Sequence, residues 1–183
     1  MAEFTIVGIC GSLRRGSYNR MLLNAAAKLV PKGAVLEVAE ISGIPPYNDD
    51  ELANMPQAVK DFKAKVKAAD AVLFVSPEYN YSVPGVLKNA IDWGSRPYPD
   101  HSWAGKPAAI MGASTGMLGT ARMQYHLRQT FVFLDMHPVN KPEVMVTFAK
   151  DKFDKDGNLT DETARKLIAQ LLENLVAWAK KVK

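Results

Sequence analysis

The polar segment between Gly11 and Asn19 has the residue types and spacing of a phosphate-binding loop. It follows an apolar run and precedes a helical pattern, where backbone N–H groups lack partners and the helix dipole favours an anion. Ser12, Ser17 and Asn19 add neutral hydrogen-bond donors, and Arg14 adds a guanidinium fork suited to phosphate oxygens. We therefore predict that this segment binds a phosphate group.

Two common phosphate motifs do not fit the segment. Gly11 and Gly16 are spaced like the start of a Walker A loop, but Ser17 and Tyr18 stand where that motif requires Lys and Ser or Thr, so nucleotide hydrolysis is not expected. The dinucleotide motif G-x-G-x-x-G is absent because two residues separate Gly8 from Gly11. The alternative is that the serines and the asparagine only cap the helix, although one cap needs fewer polar groups.

A second segment, from Ser76 to Gly85, combines a stiff backbone with aromatic rings. It reads Ser-Pro-Glu-Tyr-Asn-Tyr-Ser-Val-Pro-Gly, so two prolines limit its freedom while tyrosines alternate with polar groups. This combination suits a flat heteroaromatic ring, whose polar edge binds backbone amides and whose sides the tyrosines frame. The alternative is that Tyr79 and Tyr81 are ordinary loop or interface aromatics.

Alternating apolar runs and helical patterns predict the elements that position these loops. We expect strands over residues 4–10, 35–41, 71–76, 107–113 and 139–146, and helices over 19–30, 56–69, 84–93, 120–134 and 161–181. Pro142 marks an edge position or a break in the last strand, and Thr160 or Asp161 caps the last helix. The alternation predicts an α/β, doubly wound parallel sheet, with the ligand beyond the carboxyl ends of its strands.

Composition limits the class of protein. The 183 residues suit one domain over 1–183, and 48% hydrophobic residues are enough for a core. The sequence has no apolar run near the roughly 20 residues that span a bilayer and no signal-peptide pattern, so we expect no membrane partner. The single cysteine, Cys10, cannot form an intramolecular disulfide, and these features together favour the cytoplasm.

The net charge of +4, with a pI of about 9.1, favours anionic small molecules. The lysines are dispersed and not interleaved with stacking aromatics, so we expect no nucleic-acid partner. His101, His126 and His137 lack metal-ligand spacing, so no metal site is predicted, and Cys10 is expected to pack as a small hydrophobe.

The two loops together resemble the NADPH-dependent FMN reductase family, in particular its bacterial chromate/quinone reductase branch. Gly11-Ser12-Leu13-Arg14, with Ser17 and Asn19, is similar to the family's phosphate loop. The flavin-ring motif of the family is matched by Pro77-Glu78-Tyr79-Asn80 with Ser82, Pro84, Gly85, Leu87, Lys88, Asn89, Asp92 and Trp93. Residues 119–128 are similar to the helix that follows the family's glycine-rich turn, although relatives often have a second glycine where this chain has Thr120.

The resemblance implies a flavodoxin-like fold, a five-stranded parallel sheet in the order 2-1-3-4-5 with helices on both faces. It also implies bound FMN, with the ring approached largely by backbone amides. The phosphate contacts carried over are Ser12, Arg14, Ser17 and Asn19, and the ring contacts are Pro77, Glu78, Tyr79 and Asn80, with Ser114 and Gly116 nearby.

For function, the resemblance implies an FMN-containing oxidoreductase that takes electrons from NADPH or NADH. Quinones, chromate, azo compounds and free flavin are the small acceptors to expect, reduced by hydride transfer in a ping-pong scheme. No catalytic side chain is expected, because the flavin carries the chemistry. Arg96 and His101, in the loop 94–105, are candidate substrate-binding residues for an anionic acceptor or the coenzyme phosphate; the alternative is that they are simply exposed.

The resemblance further implies a homodimer or homotetramer, with Arg122, Tyr125 and Glu143 as polar contacts between subunits. Two other interpretations remain open: a flavodoxin-type electron carrier that serves protein partners, and a flavin-binding regulatory protein with negligible turnover. Carriers of this kind are usually acidic, which the pI of about 9.1 does not favour.

Overall fold

A parallel β-sheet forms the centre of the computed structural model, which describes residues 4–182. The order across the sheet is β2-β1-β3-β4, and two short strands, β5 and β6, both pair with β4. The predicted order 2-1-3-4-5 is confirmed. The strands are β1 (Phe4–Cys10), β2 (Ala34–Ala39), β3 (Ala71–Val75), β4 (Pro107–Ala113), β5 (His137–Pro138) and β6 (Val144–Val146).

Helices cover both faces of the sheet, as the alternating pattern predicted. One hydrophobic core packs α1 and α5 against the sheet, and a second packs α2, α3 and α4 against the opposite face. With both faces covered, β3 and β4 are buried at every position, which explains their continuous apolar sequence. The helices are α1 (Tyr18–Ala27), α2 (Gln57–Ala68), α3 (Gly85–Gly94), α4 (Ala121–Phe133) and α5 (Glu162–Val182).

The last predicted strand, 139–146, is divided in two. Between Pro138 and Val144 the chain advances six residues, while its partner strand advances three, from Ala108 to Met111. The chain leaves the ladder after the Val139 N–H, which donates to the Ala108 carbonyl at 2.8 Å, and the unpaired stretch contains Pro142, which has no N–H to donate. The strand break that Pro142 indicated is therefore confirmed, and the sheet has a split fifth strand.

The carboxyl ends of the three central strands lie side by side. Cys10 is in register with Val75, and the Gly11 N–H donates to the Val75 carbonyl at 2.9 Å. The Ser76 N–H donates to the Met111 carbonyl at 3.1 Å, which extends the ladder one step beyond β3. The loops after β1, β3 and β4 therefore leave the sheet together, where ligands bind in folds of this kind.

Candidate functional site

The loop after β1 offers hydrogen-bond donors that the protein leaves unused. Within residues 4–182, the backbone N–H groups of Ser12, Leu13 and Gly16 donate to no protein acceptor. The Ser12 hydroxyl oxygen accepts from the Arg14 N–H at 3.3 Å, and that of Ser17, the N-cap of α1, accepts from the Arg20 N–H at 3.4 Å. Both hydroxyls are therefore oriented by the backbone while their own hydrogens remain available to an anion.

A cavity of about 420 Å³ opens beside this loop. Eight of the ten predicted cofactor residues line it, from all three strand-end loops. Sequence reasoning did not single out its other four lining residues. The lining consists of Ser12, Arg14, Ser17, Tyr18, Asn19, Pro77, Glu78, Tyr79, Ala113, Ser114, Thr115 and Lys150.

A second cavity, of about 460 Å³, adjoins the first and shares Glu78 and Ser114 with it. The two remaining predicted cofactor residues, Asn80 and Gly116, lie in its wall. The structure thus brings all ten together around two adjoining cavities, one rich in donors for an anion and one bordered by backbone turns.

The turn Tyr79–Ser82 forms the rim of the second cavity. Tyr79 and Ser82 exchange backbone hydrogen bonds of 3.1 and 2.9 Å, and the two central residues, Asn80 and Tyr81, have positive φ angles of 49° and 68°. A left-handed conformation in two consecutive non-glycine residues stores strain, which persists where the surroundings enforce it. In this turn the N–H groups of Asn80 and Tyr81 have no acceptor among the described residues, so they are free for a ligand.

The carboxylate of Glu78 binds the start of α4. It accepts from the Arg122 N–H at 3.0 Å, from the Met123 N–H at 3.2 Å and from the Arg122 Nε at 2.5 Å. Thr120, the N-cap residue, makes no side-chain cap of its own, so Glu78 provides the cap from the neighbouring loop. Its carboxylate therefore anchors the loop to α4, and Glu78 lines both cavities, so its role as a ring contact stays a prediction.

Arg122 holds the same loop from a second direction. Its guanidinium lies 3.5 Å from the centroid of the Tyr81 ring while its Nε pairs with Glu78. Together with Tyr125 and Glu143, it was predicted to make contacts between subunits. Within the chain, the Tyr125 hydroxyl donates to Glu143 at 3.0 Å, and this hydrogen bond raises the pKa of Tyr125.

Thr120 occupies a position where the backbone favours glycine. Its φ is 74°, and its side chain is buried beside Gly112. A Cβ added at Gly112 would lie 2.1 Å from the Thr120 hydroxyl and 2.5 Å from the Ser76 carbonyl, so β4 requires glycine there. Thr120, where relatives often have glycine, therefore adopts the left-handed conformation at the cost of local strain.

The structure does not bring Arg96 and His101 to these cavities. They lie in the connection from α3 to β4, which is tied to the amino-terminal edge of the sheet by the Gly105 N–H bond to Asp135. There the Arg96 guanidinium lies 4.8 Å from the Tyr98 ring centroid, and the His101 ring lies 5.5 Å from that centroid. The cavities lie at the opposite, carboxyl-terminal edge.

Of the four lining residues that the sequence did not suggest, Tyr18 and Thr115 adjoin predicted positions, and Ala113 ends β4. Lys150 had no motif to mark it, because it stands alone after a weak strand pattern. It occupies a short 3₁₀ turn, Ala149–Asp151, that follows β6. Strand order alone places that turn at the carboxyl edge of the sheet.

Cys10 ends β1 beneath the phosphate loop and is buried, as the sequence predicted. Burial raises its pKa, so the thiol stays neutral and adds no negative charge below the loop. Among residues 4–182 no three His, Cys, Asp or Glu side chains are grouped for metal binding. No helix in the described part of the chain is long and apolar enough to cross a membrane.

This chain is similar to known proteins over almost its full length. A model of the NADPH-dependent FMN reductase family matches residues 4–151. An NAD(P)H-dependent FMN reductase of Pseudomonas aeruginosa is 57% identical over 182 residues, covering 99% of this chain and 98% of the relative. A 2-hydroxy-1,4-benzoquinone reductase of a Burkholderia species is 41% identical over 175 residues, covering 96% of both proteins.

Among solved structures, the flavoenzyme NAD(P)H:(acceptor) oxidoreductase FerB of Paracoccus denitrificans superposes with a TM-score of 0.90 at 36% identity, covering 97% of this chain and 98% of that one. Sequence and structure therefore agree on one assignment. The chain belongs to the NADPH-dependent FMN reductase family, a family of flavin-dependent oxidoreductases.

Proposed function

We propose that this chain binds FMN across the two adjoining cavities and passes electrons from NAD(P)H to a small acceptor, with quinones as the main class. The observation that carries the proposal is the junction of the cavities at Glu78 and Ser114, which joins an anion-binding loop to a rim of backbone turns. Their volumes, about 420 and 460 Å³, fall in the roughly 300–1,000 Å³ range of small-molecule sites.

The donors present fit the two ends of FMN. A phosphate monoester needs N–H and O–H donors with a compensating positive charge, and the first cavity supplies the Ser12 and Ser17 hydroxyls and the Arg14 guanidinium. The polar edge of the ring needs fixed backbone N–H groups, and the turn at Asn80 and Tyr81 offers two. FMN supplies the electron transfer itself when bound.

The residues of the chain then act by holding and exposing that group. Glu78 and Arg122 fix the turn that borders the ring, so its N–H groups face a constant position. Exposed apolar side chains beside the second cavity, Met117 and Leu118, offer a surface for a second flat molecule. We infer that NAD(P)H and the acceptor use this surface in turn.

The choice of acceptor follows from this surface and from the relatives. Flat, apolar quinones match a rim of Tyr79, Tyr81 and Met117, and quinone reduction is the named activity of the Burkholderia relative. We extend the proposal to chromate, because the net charge of +4 favours small anions.

We also propose that the chain assembles as a homodimer or homotetramer through α4. Tyr125, Val132 and Phe133 lie on this helix with 53%, 85% and 72% of their surface exposed. Tyr125 and Val132 are seven residues apart and therefore share one helical face. A second copy of the chain is the proposed occupant, and sedimentation of Val132→Lys should show a smaller species than the unmodified protein.

Steady-state turnover tests the activity. The purified protein should oxidise NADPH or NADH with 1,4-benzoquinone and no protein partner, lose this activity when FMN is stripped, and regain it when FMN is added. Parallel initial-rate lines would support the shared surface. Bound FMN without turnover would favour the electron carrier or the regulatory protein instead. The cytoplasmic location that we propose would be tested separately, by cell fractionation.

A further inference from the structure

Lys150 is a cation in the wall of the first cavity for which the resemblance provides no role. It lines the same cavity as Ser12, Arg14 and Ser17, although it is more than 130 residues away from them in the sequence. Within residues 4–182, no carboxylate forms an ion pair with it. A cation that faces a cavity of donors without an acidic partner is arranged for an anion that the chain itself does not supply.

The segment that carries Lys150 is fixed to the site. The Phe148 N–H donates to the Gly116 carbonyl at 3.2 Å, and the Ala149 N–H donates to the Ser114 carbonyl at 3.0 Å. Ala149 is fully buried, and Phe148 is held in the left-handed region with a φ of 48°, a costly conformation for a bulky residue. The two residues before Lys150 are therefore tied to the loop after β4, and the Asp151 N–H closes the turn on the Phe148 carbonyl at 3.0 Å.

The charged residues that line the cavity indicate the charge of the anion that it binds. The only acidic residue in its described lining, Glu78, is already satisfied by Arg122 and by the start of α4. That leaves Arg14 and Lys150 as two cations, and a phosphate monoester carries about −1.5 to −2 near neutral pH. Two positive groups therefore match one dianion.

We propose that Lys150 is a phosphate-binding residue, which binds the FMN monoester together with Arg14. The inference rests on the proposed function, because it requires that FMN occupy the cavity. In this chain the phosphate would then contact residues from two segments, the loop after β1 and the turn after β6.

Binding of FMN and riboflavin to the FMN-free protein tests the proposal, since the two ligands differ only in the phosphate. Fluorescence titration of Lys150→Met should show FMN affinity about tenfold lower and riboflavin affinity unchanged. Lys150→Arg should recover most of the loss. Lys155→Met, which removes an exposed lysine on a turn outside the cavity, should bind both ligands like the unmodified protein. The FMN difference should shrink as salt is added.

Other results would overturn the proposal in distinguishable ways. Equal losses for FMN and riboflavin would assign Lys150 a structural role. Unchanged FMN affinity combined with a shifted ratio of the NADPH and NADH KM values would mean that Lys150 binds the coenzyme phosphate instead. If the unmodified protein binds neither flavin, the proposed function fails, and this inference fails with it.

Discussion

The side chain of Asn19 and the backbone of Ala113 exchange two hydrogen bonds across the carboxyl edge of the sheet. The Asn19 Nδ2 donates to the Ala113 carbonyl at 2.9 Å, and the Ala113 N–H donates to the Asn19 Oδ1 at 2.8 Å. The pair is buried, and it joins the first turn of α1 to the last residue of β4. It therefore fixes the distance between the phosphate loop after β1 and the loop after β4.

Removing the Asn19 amide should destabilise the fold. Asn19→Ala leaves the N–H and the carbonyl of Ala113 without partners in a buried position, so we expect the free energy of unfolding to fall by about 2–4 kcal/mol. Denaturant unfolding of the FMN-free protein measures this directly. Asn24→Ala, an exposed position on the same helix, should change stability by less than about 0.5 kcal/mol. Equal losses in the free energy of unfolding at the two positions would show that the Asn19–Ala113 hydrogen bonds do not stabilise the fold.

Adjacent arginines provide a matched test of the phosphate loop. Arg14 lines the first cavity, whereas its neighbour Arg15 is exposed and outside the lining. Arg14→Met should weaken FMN binding about tenfold or more, because a charge-assisted contact to phosphate is lost, while Arg15→Met should leave binding unchanged. Fluorescence titration gives both dissociation constants, and similar losses in the two variants would mean that net charge alone attracts FMN.

The Glu78 carboxylate should support both stability and cofactor binding. Its side chain is 8% exposed, and Glu78→Gln keeps an acceptor for α4 but removes the charge that pairs with Arg122. We expect the free energy of unfolding to fall by about 1–3 kcal/mol and FMN affinity to fall with it, because the ring-bordering turn loosens. Glu143→Gln, at an exposed glutamate on the same protein, is the comparison. Indistinguishable unfolding curves for the two variants would contradict the anchoring role.

Asp161 should give the last helix a pH-dependent stability. The Lys152 ammonium, and then the Ala164 N–H that donates to Asp161 at 2.8 Å, hold the pKa of this carboxyl below its ordinary value. The folded pKa lies below the unfolded one, so the stabilisation is complete above the ordinary pKa and is lost as the pH falls through the folded pKa.

Asp161→Asn tests this prediction. At neutral pH it should lower the free energy of unfolding by about 0.5–1 kcal/mol, because Asn still caps the helix but loses the charge that interacts with Lys152 and with the helix dipole. In acid the difference from the unmodified protein should vanish. A difference that is independent of pH would mean that the carboxylate charge has no part in the cap. The structure also selects Asp161 over Thr160 as the capping side chain, a choice that the sequence left open.

Strand bounds were predicted most accurately where one physical requirement applies to a run of consecutive residues. Strands β1 (Phe4–Cys10) and β4 (Pro107–Ala113) were predicted to the residue, because a parallel strand covered on both faces must be apolar throughout. The register of β6 was not predictable, since the residues that loop out before it follow from pairing with β4, a contact that is distant in sequence.

Topology explains which candidate residues lie away from the cavities and which lining residue the sequence did not suggest. A loop that follows a helix returns to the amino edge of a parallel sheet, so strand order places Arg96 and His101 apart from the cavities, and their role in substrate binding stays a prediction. The same rule brings the turn after β6, with Lys150, to the carboxyl edge. The bond from Glu78 to α4 depends on side-chain direction, which the local pattern around Pro77 does not encode.

The absorbance spectrum of the purified protein under anaerobic conditions shows whether the chain binds FMN and whether NAD(P)H reduces it. We expect one FMN per chain, loss of the long-wavelength flavin band when NADPH or NADH is added, and its return when 1,4-benzoquinone follows. A colourless protein that does not take up added FMN, or a bound flavin whose band persists with both coenzymes present, would show that this chain is not an NAD(P)H-dependent flavin reductase.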